Sequence, residues 1–309
     1  MEIQWAGQRC AARILDQGQT GLEHIFGLDS LRDGKTCVAF GSFDGLHIGH
    51  RAVVHRMAAY TGLQKILLSI EPEDRPVLVT ESEKAFLLRN SPIDCLISVP
   101  EKQITEFSGR EFVRKVLIGK LRACVVAAGT HSGLYDELLA FSRDGAFQLA
   151  PVSPVCSNES PVSSELVKQC IESGSFRSLL DLLGHPYPVQ GIVVHGKGKG
   201  RTQGMPTANL RVPENKILPP YGVYGSIVHM KDGIRTGLTN IGLRPSVDNI
   251  PVPTVETHIL DFDGDLYGQE LTVEIREWIR ETRKFDGGLK EVTEQVGRDI
   301  EYVRNIMTV

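Results

Sequence analysis

"TCVAFGSFDGLHIGHRAVVHRMAAY", residues 36 to 60, joins a short apolar run, a glycine-rich turn and an alanine-rich stretch. The apolar run ends at Gly41 and predicts a buried strand, and the alanine-rich stretch ends before Gly62 and predicts a helix. A strand-to-helix turn exposes backbone N–H groups and the positive end of a helix dipole, which suits a phosphate. Three glycines let a ligand approach this backbone closely: Gly41, Gly45 and Gly49.

Two histidines lie in this turn, three residues apart. We expect His47 and His50 on one face of the first helical turn, where imidazole N–H groups can meet charge on a transferring phosphoryl group. Such a site would break the bond between α- and β-phosphates. One histidine at a helix start is more often an ordinary polar residue, but two in a glycine-rich turn favour function. Asp44 either joins the site or is a turn residue that bonds its own backbone.

The amino half continues with apolar runs that alternate with helical stretches. The runs are QKILLSI (64–70), DCLISVP (94–100) and RACVVAAG (122–129), and the helical stretches include ESEKAFLLRN and GREFVRKVLIGKL. This alternation predicts an α/β domain with a parallel, Rossmann-like sheet, which binds ligands beyond the carboxyl ends of its strands. Two short helices follow Ser163, and HPYPVQ (185–190) then brings two prolines. We therefore predict two domains, 1–184 and 185–309.

The carboxyl half has a different residue pattern, with six short β-like runs separated by turn residues. These runs are GIVVHG, TANLRV, GVYGSIVHM, TGLTNIG, TVETHILDF and LTVEIREWI. They predict an antiparallel barrel. The last segment places one apolar stripe at helical spacing, which predicts a helix packed on the barrel. The stripe consists of Leu289, Val292, Val296, Ile300, Val303 and Ile306.

Composition excludes several classes of protein. The 309 residues carry a net charge of −4, and lysine and arginine are interspersed with acidic residues, which argues against nucleic-acid binding. The six cysteines form no C-x-x-C pair, which argues against a zinc site or a disulfide framework and favours reduced thiols in a cytoplasm. The N-terminus has no basic region followed by an apolar core, and no apolar run is long enough to span a bilayer. We expect a soluble cytoplasmic protein without a membrane partner, and the sequence leaves its oligomeric state open.

"GKGKGRTQGMPTANL", Gly196 to Leu210, is a second unusual stretch. Residues 191–197 fit the start of a P-loop, but Gly198 stands where a metal-binding serine or threonine belongs, and IVVH favours a strand. A glycine-rich basic loop still suits a polyphosphate, which Lys197, Lys199 or Arg201 can face.

Two polar residues and one carboxylate of the carboxyl half are candidates for metal binding and catalysis. Thr207 and Asn209 lie two apart on one strand face and offer neutral oxygens to Mg²⁺, which commonly needs few protein ligands beside phosphate oxygens and water. Glu256 shares its strand face with His258 and Leu260, where its pKa could rise and suit a base toward a hydroxyl. Spacing alone favours a solvated strand face for the first pair and an exposed carboxylate for Glu256.

These residues together resemble the bacterial bifunctional riboflavin kinase/FAD synthetase family over almost the whole chain. In the carboxyl half GRTQGMPTANL, GVYGSIV, NIGLRPSVDN, VETHILDFDGDLYGQELTV and RETRKFDGGLKEVTEQVGRDI follow the order and spacing of the family. The resemblance implies that Thr207 and Asn209 bind magnesium and that Glu256 takes the proton of the ribityl 5′-hydroxyl as it attacks the γ-phosphate of ATP. It also implies a loop that covers the nucleotide, with Gly196, Gly198, Gly200 and Arg201.

In the amino half GSFDGLHIGH is similar to the adenylyltransferase signature of the family, and His47 and His50 match its two histidines. The H-x-G-H form belongs to a wide nucleotidyltransferase superfamily, so it indicates the reaction type better than the substrate. The nucleotide-binding positions that the resemblance implies are Gly41, Phe43, Asp44, Gly45, Gly49, Ser163 and Ser164.

The chain departs from the family in several places. The family has SST, a variable residue and Ile-Arg where this chain has SSELVK, so Glu165 replaces a threonine and Lys168 an arginine. The first change adds negative charge near the expected phosphates and the second removes a bidentate fork, so both should weaken ATP binding. The Asp-Phe, basic residue and Phe-Gly signature after the fourth strand is missing, and a shorter THSGLYDELLAF follows Gly129. SIEPEDRPVLVT also lacks a phenylalanine and a second proline that the family tends to have.

Three hypotheses follow. In the first, the carboxyl half phosphorylates riboflavin to FMN with Mg²⁺ and ATP, and the amino half converts FMN and ATP to FAD and pyrophosphate. In the second, the chain is a kinase alone, because the departures have removed the synthetase activity. In the third, it is a flavin-binding regulator, for example of RNA, which the intact Thr207, Asn209 and Glu256 argue against.

Overall fold

The chain folds into two compact units. The computed structural model describes residues 13–15, 21–28, 34–196, 206–245, 251–282 and 288–307. The first unit runs to Arg75 and resumes with Thr80–Ser163, and the second combines Pro76–Val79 with the chain from Ser164 onward.

The first unit is built on a seven-stranded sheet in the order β1-β2-β5-β4-β3-β6-β7. β1 is antiparallel to β2, and all other neighbouring strands are parallel. The strands are β1 (Arg13–Leu15), β2 (Glu23–Phe26), β3 (Thr36–Gly41), β4 (Gln64–Glu71), β5 (Cys95–Pro100), β6 (Ala123–Gly129) and β7 (Gln148–Val152). The predicted α/β fold with a parallel sheet is confirmed.

Helices and a small hairpin complete this unit. They are α1 (Ile48–Met57), α2 (Glu81–Leu88), α3 (Glu101–Thr105), α4 (Gly109–Glu111), a π-type helix (Phe112–Lys120), α5 (Tyr135–Arg143) and the hairpin of β8 (Cys156–Ser157) and β9 (Ser160–Pro161). The central strands are apolar without alternation because both faces of the sheet are covered. In β4, Ile66 and Leu68 pack into one core and Leu67 into the other, and all three are fully buried.

The second unit is a closed antiparallel barrel in the order β10-β11-β14-β13-β12-β15. Its strands are β10 (Tyr187–Val194), β11 (Ala208–Arg211), β12 (Gly222–Met230), β13 (Gly233–Pro245), β14 (Pro251–Ile259) and β15 (Glu270–Glu281), and its helices are α6 (Ser164–Glu172), α7 (Phe176–Leu183) and α8 (Gly288–Ile306). Closure leaves no free sheet edge. The predicted barrel and its C-terminal helix are confirmed.

Helix α8 packs on the barrel through only part of the predicted stripe. Val303 is fully buried against Val223, Leu238 and Leu260, and Val296, Ile300 and Met307 pack beside it. An ion pair of 2.8 Å between Arg280 and the buried Asp299 adds a polar tie between β15 and α8. The prediction was wrong for Ile306, which is 44% exposed, because the stripe turns away from the barrel at the last turn and Met307 packs instead. The side chain of Leu289 lies outside the described residues.

Four residues from the amino half belong to the second unit. The Val77 N–H donates to the Asn215 carbonyl, and the Ile217 N–H donates to the Val77 carbonyl, each at 2.8 Å. The carbonyl of Leu78 accepts from the Tyr187 hydroxyl at 2.7 Å and from the buried Lys216 ammonium group. The segment Pro76–Val79 is therefore held by backbone and side-chain hydrogen bonds within this unit.

The units divide the chain at a different place from the predicted domains. Helices α6 and α7 belong to the second unit, and Tyr187–Val194, which includes most of HPYPVQ, is a barrel strand. The domain boundary at residues 184 and 185 stays a prediction.

Candidate active sites

The turn between β3 and α1 has an uncommon backbone. Gly41 has φ +153° and Gly45 has φ +87°, and Phe43 and Leu46 have φ of 47° and 43°. The left-handed region is unfavourable for residues with a Cβ, and such strain gathers at functional sites. The turn therefore persists only because surrounding contacts hold it.

The structure brings the two histidines of this turn into direct contact. His47 is the N-cap of α1, and its Nδ1 accepts the backbone N–H of His50 at 3.4 Å. The two rings stack with centroids 3.7 Å apart and an interplanar angle of 23°, and the Phe43 ring meets His50 edge-on at 5.2 Å. Because Nδ1 of His47 accepts a hydrogen bond, a neutral His47 carries its proton on Nε2.

The protonation of His50 is set by its surroundings. Burial, reinforced by the neighbouring His47 and Lys84, lowers the pKa of His50 well below its usual range. Its Nδ1 is buried and has no hydrogen-bond partner among the described residues. His50 is therefore neutral at neutral pH, with one ring nitrogen available as a donor.

The remaining candidates of the amino half have different environments. Asp44 is buried, at 5% exposure. A Cβ on Gly49 would lie 3.1 Å from two His47 ring atoms, so glycine lets the imidazole lie close to the backbone. Ser163 is exposed and ends the first unit, whereas Ser164 begins α6 in the second, and each is described within its own unit.

Two residues that differ from the family pattern, Glu165 and Lys168, interact with groups close to them. Glu165 is exposed in the first turn of α6, where a carboxylate interacts favourably with the helix dipole. The ammonium group of Lys168 donates to the Pro76 carbonyl at 3.4 Å. After Gly129 the chain enters α5 at Tyr135.

The buried histidines predict a pH-dependent stability of the first unit. Burial also lowers the pKa of His24, although Glu81 acts in the opposite direction. Below about pH 6.5 the unfolded chain therefore binds more protons than the folded chain, so stability falls as the pH falls. We expect a loss of about 1 kcal/mol per histidine by about pH 5.5, and no contribution to the slope from them above about pH 7.

Urea unfolding of this unit between pH 5.5 and 8 measures the effect. The double variant His24→Gln/His50→Gln should have a smaller slope, whereas His55→Gln, on the exposed end of α1, should keep the parent slope. A parent whose stability does not change over this range would contradict the prediction.

A second group of polar residues lies on the outside of the barrel. Asn209 on β11 pairs with Glu256 on β14, which also pairs with Asn240 on β13. Directly paired residues of neighbouring strands project from the same face. Val255 and Thr257 are buried on the opposite face, at 1% and 0% exposure. One row of the outer face thus combines two amides and a carboxylate.

The chain next to this row packs tightly. A Cβ on Gly196 would lie 2.5 Å from Nδ2 of Asn209 and 2.7 Å from its Oδ1, so a larger residue at position 196 would displace the amide. Nδ2 of Asn209 donates to the Thr207 carbonyl at 3.4 Å. His258 Nδ1 donates to the Pro206 carbonyl at 2.9 Å, just before Thr207. Backbone contacts therefore hold the segment that carries both predicted metal ligands.

Sequence reasoning missed Asn240 and the role of His258. His258 was placed on the face of Glu256 by alternation, but its bond to Pro206 joins residues far apart in the chain. Asn240 becomes visible only from strand register. The predicted loop residues Lys197, Gly198, Lys199, Gly200 and Arg201 lie outside the described residues.

Two features are absent from the described residues. No group of three or more His, Cys, Asp or Glu side chains there could hold a metal ion. No helix in the same residues has both the length and the apolar character needed to cross a membrane.

Comparison with known proteins identifies relatives for both halves. The family model for FAD synthetase matches residues 30–166, and that for riboflavin kinase matches residues 183–307. The bifunctional riboflavin kinase/FMN adenylyltransferase of Bacillus subtilis is 29% identical, over 92% of this chain and 98% of the relative. The protein of the same name from Listeria monocytogenes is 30% identical, over 86% of this chain and 91% of the relative.

A solved structure shares the fold. The crystal structure titled macrolide-efflux protein from Streptococcus pneumoniae superposes with a TM-score of 0.76 and 24% identity, over 93% of this chain and 99% of that one. This likeness concerns the fold alone. The domain matches and the relatives together show that the chain belongs to the bifunctional riboflavin kinase/FMN adenylyltransferase family, transferases that use ATP in the synthesis of flavin cofactors.

Proposed function

We propose that the barrel transfers the γ-phosphate of ATP to the ribityl 5′-hydroxyl of riboflavin, with Glu256 as the base. A carboxylate oxygen of Glu256 takes the hydroxyl proton, the alkoxide oxygen bonds to the γ-phosphorus, and the bond to the β-phosphate oxygen breaks to release ADP. The observation that carries this proposal is the pairing of Glu256 with Asn209, beside the glycine at 196. Gly196, Gly198, Gly200 and Arg201 belong to the loop that contacts the nucleotide.

The donor set beside Glu256 fits a hard cation. The Thr207 hydroxyl and the Asn209 amide oxygen would hold Mg²⁺ as neutral oxygen ligands, since this ion commonly needs few protein ligands beside phosphate oxygens and water. Close packing of Asn209 against Gly196 fixes the amide in place before a nucleotide binds. When bound, Mg²⁺ offsets the negative charge of the phosphates, while His258 holds the backbone that precedes Thr207.

In the amino half, FMN is adenylylated at the turn that carries His47 and His50. An FMN phosphate oxygen bonds to the α-phosphorus of ATP, the bond to the β-phosphate oxygen breaks, and pyrophosphate leaves. Imidazole N–H groups of the two histidines stabilise the negative charge that develops on the phosphates. The stacked pair and the neutral state of His50 support this role. Gly41, Phe43, Asp44, Gly45, Gly49, Ser163 and Ser164 contact the nucleotide.

The proposal includes the division of labour and the location. Residues 1–184 carry adenylyl transfer and residues 185–309 carry phosphorylation. The enzyme works in the cytoplasm on riboflavin, FMN and ATP. Free thiols are typical of this reducing compartment, and five described cysteines are free thiols: Cys37, Cys95, Cys124, Cys156 and Cys170.

A chromatographic time course tests the proposal. Purified protein receives riboflavin or FMN, each with ATP and Mg²⁺, and the flavin products are separated over time. FMN that forms and then converts to FAD is the expected result. No FMN from riboflavin would overturn the kinase assignment.

A second candidate, a kinase alone, is favoured by Glu165, Lys168 and the shortened segment after Gly129. It predicts FMN that accumulates and stays. FAD formed from FMN, and lost in His47→Ala, would exclude it.

A substitution at Gly196 tests the packing beside the proposed metal ligand. Gly196→Ala places a methyl group against the Asn209 amide, so we expect riboflavin phosphorylation to slow by about 10- to 100-fold. The free energy of unfolding should change by less than about 1 kcal/mol, because the neighbour is a side chain that can move. Gly297→Ala is the matched control, since its Cβ meets no atom within 4 Å. A parent-like rate in Gly196→Ala would contradict the expectation.

A further inference from the structure

A line of polar groups crosses the neighbouring strands β2, β5, β4 and β3 of the first unit. His24 lies on β2, Ser98 on β5 and Ser69 on β4, and Ser42 directly follows β3. Strand register pairs Ser98 with Ser69, and Ser69 with Gly41. His24, Ser69 and Ser98 are each at most 8% exposed, next to buried apolar residues of their strands. Hydrogen bonds must satisfy such groups, since an unpaired buried polar group is costly.

Lys84 of α2 joins this line to the histidine turn. Its ammonium group donates to the Ser42 carbonyl at 2.6 Å, to Oγ of Ser69 at 2.9 Å and to Oε1 of Glu81 at 2.6 Å. An ammonium group has three N–H donors, and all three are used. Lys84 is 1% exposed. Its contacts therefore leave no donor for a phosphate, which excludes a role as a direct phosphate ligand in this arrangement.

The Glu81 carboxylate binds Lys84 and accepts hydrogen bonds at both of its oxygens. Its Oε1 also accepts from Ser69 at 3.0 Å, and its Oε2 accepts from Ser98 at 2.5 Å. Because Ser98 donates its only hydroxyl proton to Glu81, Nε2 of His24 is the donor in the 2.9 Å contact to Ser98. The donors thus run in one direction, from His24 through Ser98 to the carboxylate.

The buried ion pair of Glu81 and Lys84 contributes little net stability to the fold. Taking two charges out of water offsets most of their attraction, and apolar replacements of such pairs are often neutral or stabilising. The position of the ion pair gives it a more specific role. Lys84 holds the Ser42 carbonyl, and Ser42 directly precedes the part of the turn in which Phe43 and Leu46 have left-handed backbone conformations. Backbone conformations of this kind cost about 1 to 3 kcal/mol each and persist only where surrounding contacts hold them.

We propose that Lys84, held by Glu81, is a positioning residue that fixes the Ser42 carbonyl and so keeps His47 and His50 in the arrangement used for adenylyl transfer. This inference rests on the proposed role of the two histidines. The positive charge of Lys84 also opposes protonation of the nearby His50.

The test removes both charges together. Lys84→Met alone would leave Glu81 as an unpaired buried charge and could prevent folding, so the main variant is Glu81→Gln/Lys84→Met. Lys120→Met is the matched control, because Lys120 also donates to a backbone carbonyl, that of Leu28 at 3.0 Å, in the same unit. Hydrogen exchange of peptides and steady-state kinetics of FMN adenylylation are measured in the full chain.

We expect amide exchange to rise at least about tenfold in residues 41–50 of the double variant and to stay unchanged in β4, β5 and β6. The kcat for FAD formation should fall about 10- to 100-fold with KM for ATP and FMN within about threefold, because positioning acts on the transferring group. Lys120→Met should match the parent in both measurements.

Unchanged exchange at residues 41–50, faster exchange through the whole unit, or an unchanged kcat would overturn the inference. A raised KM for ATP with a parent-like kcat would also overturn it, because that result belongs to a phosphate ligand. A parent that forms no FAD overturns the proposed adenylyl transfer instead, and the exchange measurement then decides separately whether Lys84 holds the turn.

Discussion

Glu256→Gln lowers the rate of riboflavin phosphorylation by about 100- to 10,000-fold, the usual contribution of a general base. Glutamine keeps the size of the side chain and its place beside Asn209, but it cannot take a proton from the substrate hydroxyl. The KM for ATP should change little, because the nucleotide contacts assigned to the loop and the metal ligands Thr207 and Asn209 remain. The rate of FMN formation from riboflavin, ATP and Mg²⁺ is the measurement.

Two controls make this result specific. The same variant, supplied with FMN, should form FAD at the parent rate, because that reaction belongs to the other half of the chain. Glu277→Gln removes an exposed carboxylate from strand β15 of the same barrel and should leave phosphorylation unchanged. A Glu256→Gln protein that makes FMN as fast as the parent would remove Glu256 from the mechanism.

His50→Ala is expected to lower FAD formation from FMN by about 100- to 1,000-fold, the typical cost of removing one donor to developing charge. The change also removes the ring that stacks on His47, so the second donor loses its fixed orientation. Riboflavin phosphorylation in the same preparation should stay at the parent rate. Initial rates of pyrophosphate release with FMN and ATP measure the effect.

His55→Ala provides the comparison on the same helix. His55 is exposed in the last turn of α1 and lies outside the glycine-rich turn that carries His47 and His50. It should therefore keep the parent rate of FAD formation. Equal rates in His50→Ala and the parent would show that another group supplies the donors.

Much of the architecture follows from local patterns in the sequence. The TCVAF and DCLISVP runs predict β3 and β5, because short apolar runs with β-branched residues and flanking turn residues are typical of buried strands. The alanine-rich stretch after the glycine turn predicts α1. Alternation in TVETHILDF separates Val255 and Thr257, which are buried inside the barrel, from Glu256, which lies on its outer face. The family resemblance, rather than periodicity, singles out Thr207, Asn209 and Glu256 as a set.

Other features depend on contacts between distant segments. Glu81 and Lys84 look like ordinary helix residues in ESEKAFLLRN, and only folding brings them to Ser69 and Ser42. A signal was present, since serines at matching positions interrupt the apolar runs of β4 and β5, where an unpaired hydroxyl would be costly. Ile306 fitted the helical stripe, but a periodic pattern cannot tell where a helix passes the end of its barrel.

The segment Pro76–Val79 limits how this gene could be divided. The barrel unit takes these four residues from the middle of the other unit's sequence, so no single cut yields two complete halves. A barrel expressed from residue 164 or 185 would lack the Leu78 carbonyl that Lys216 and Tyr187 contact. A buried ammonium group would then lose an acceptor, at a cost of about 1 to 3 kcal/mol or more. Fission into separate proteins would therefore require compensating changes around Lys216, whereas a fused chain supplies the acceptor without them.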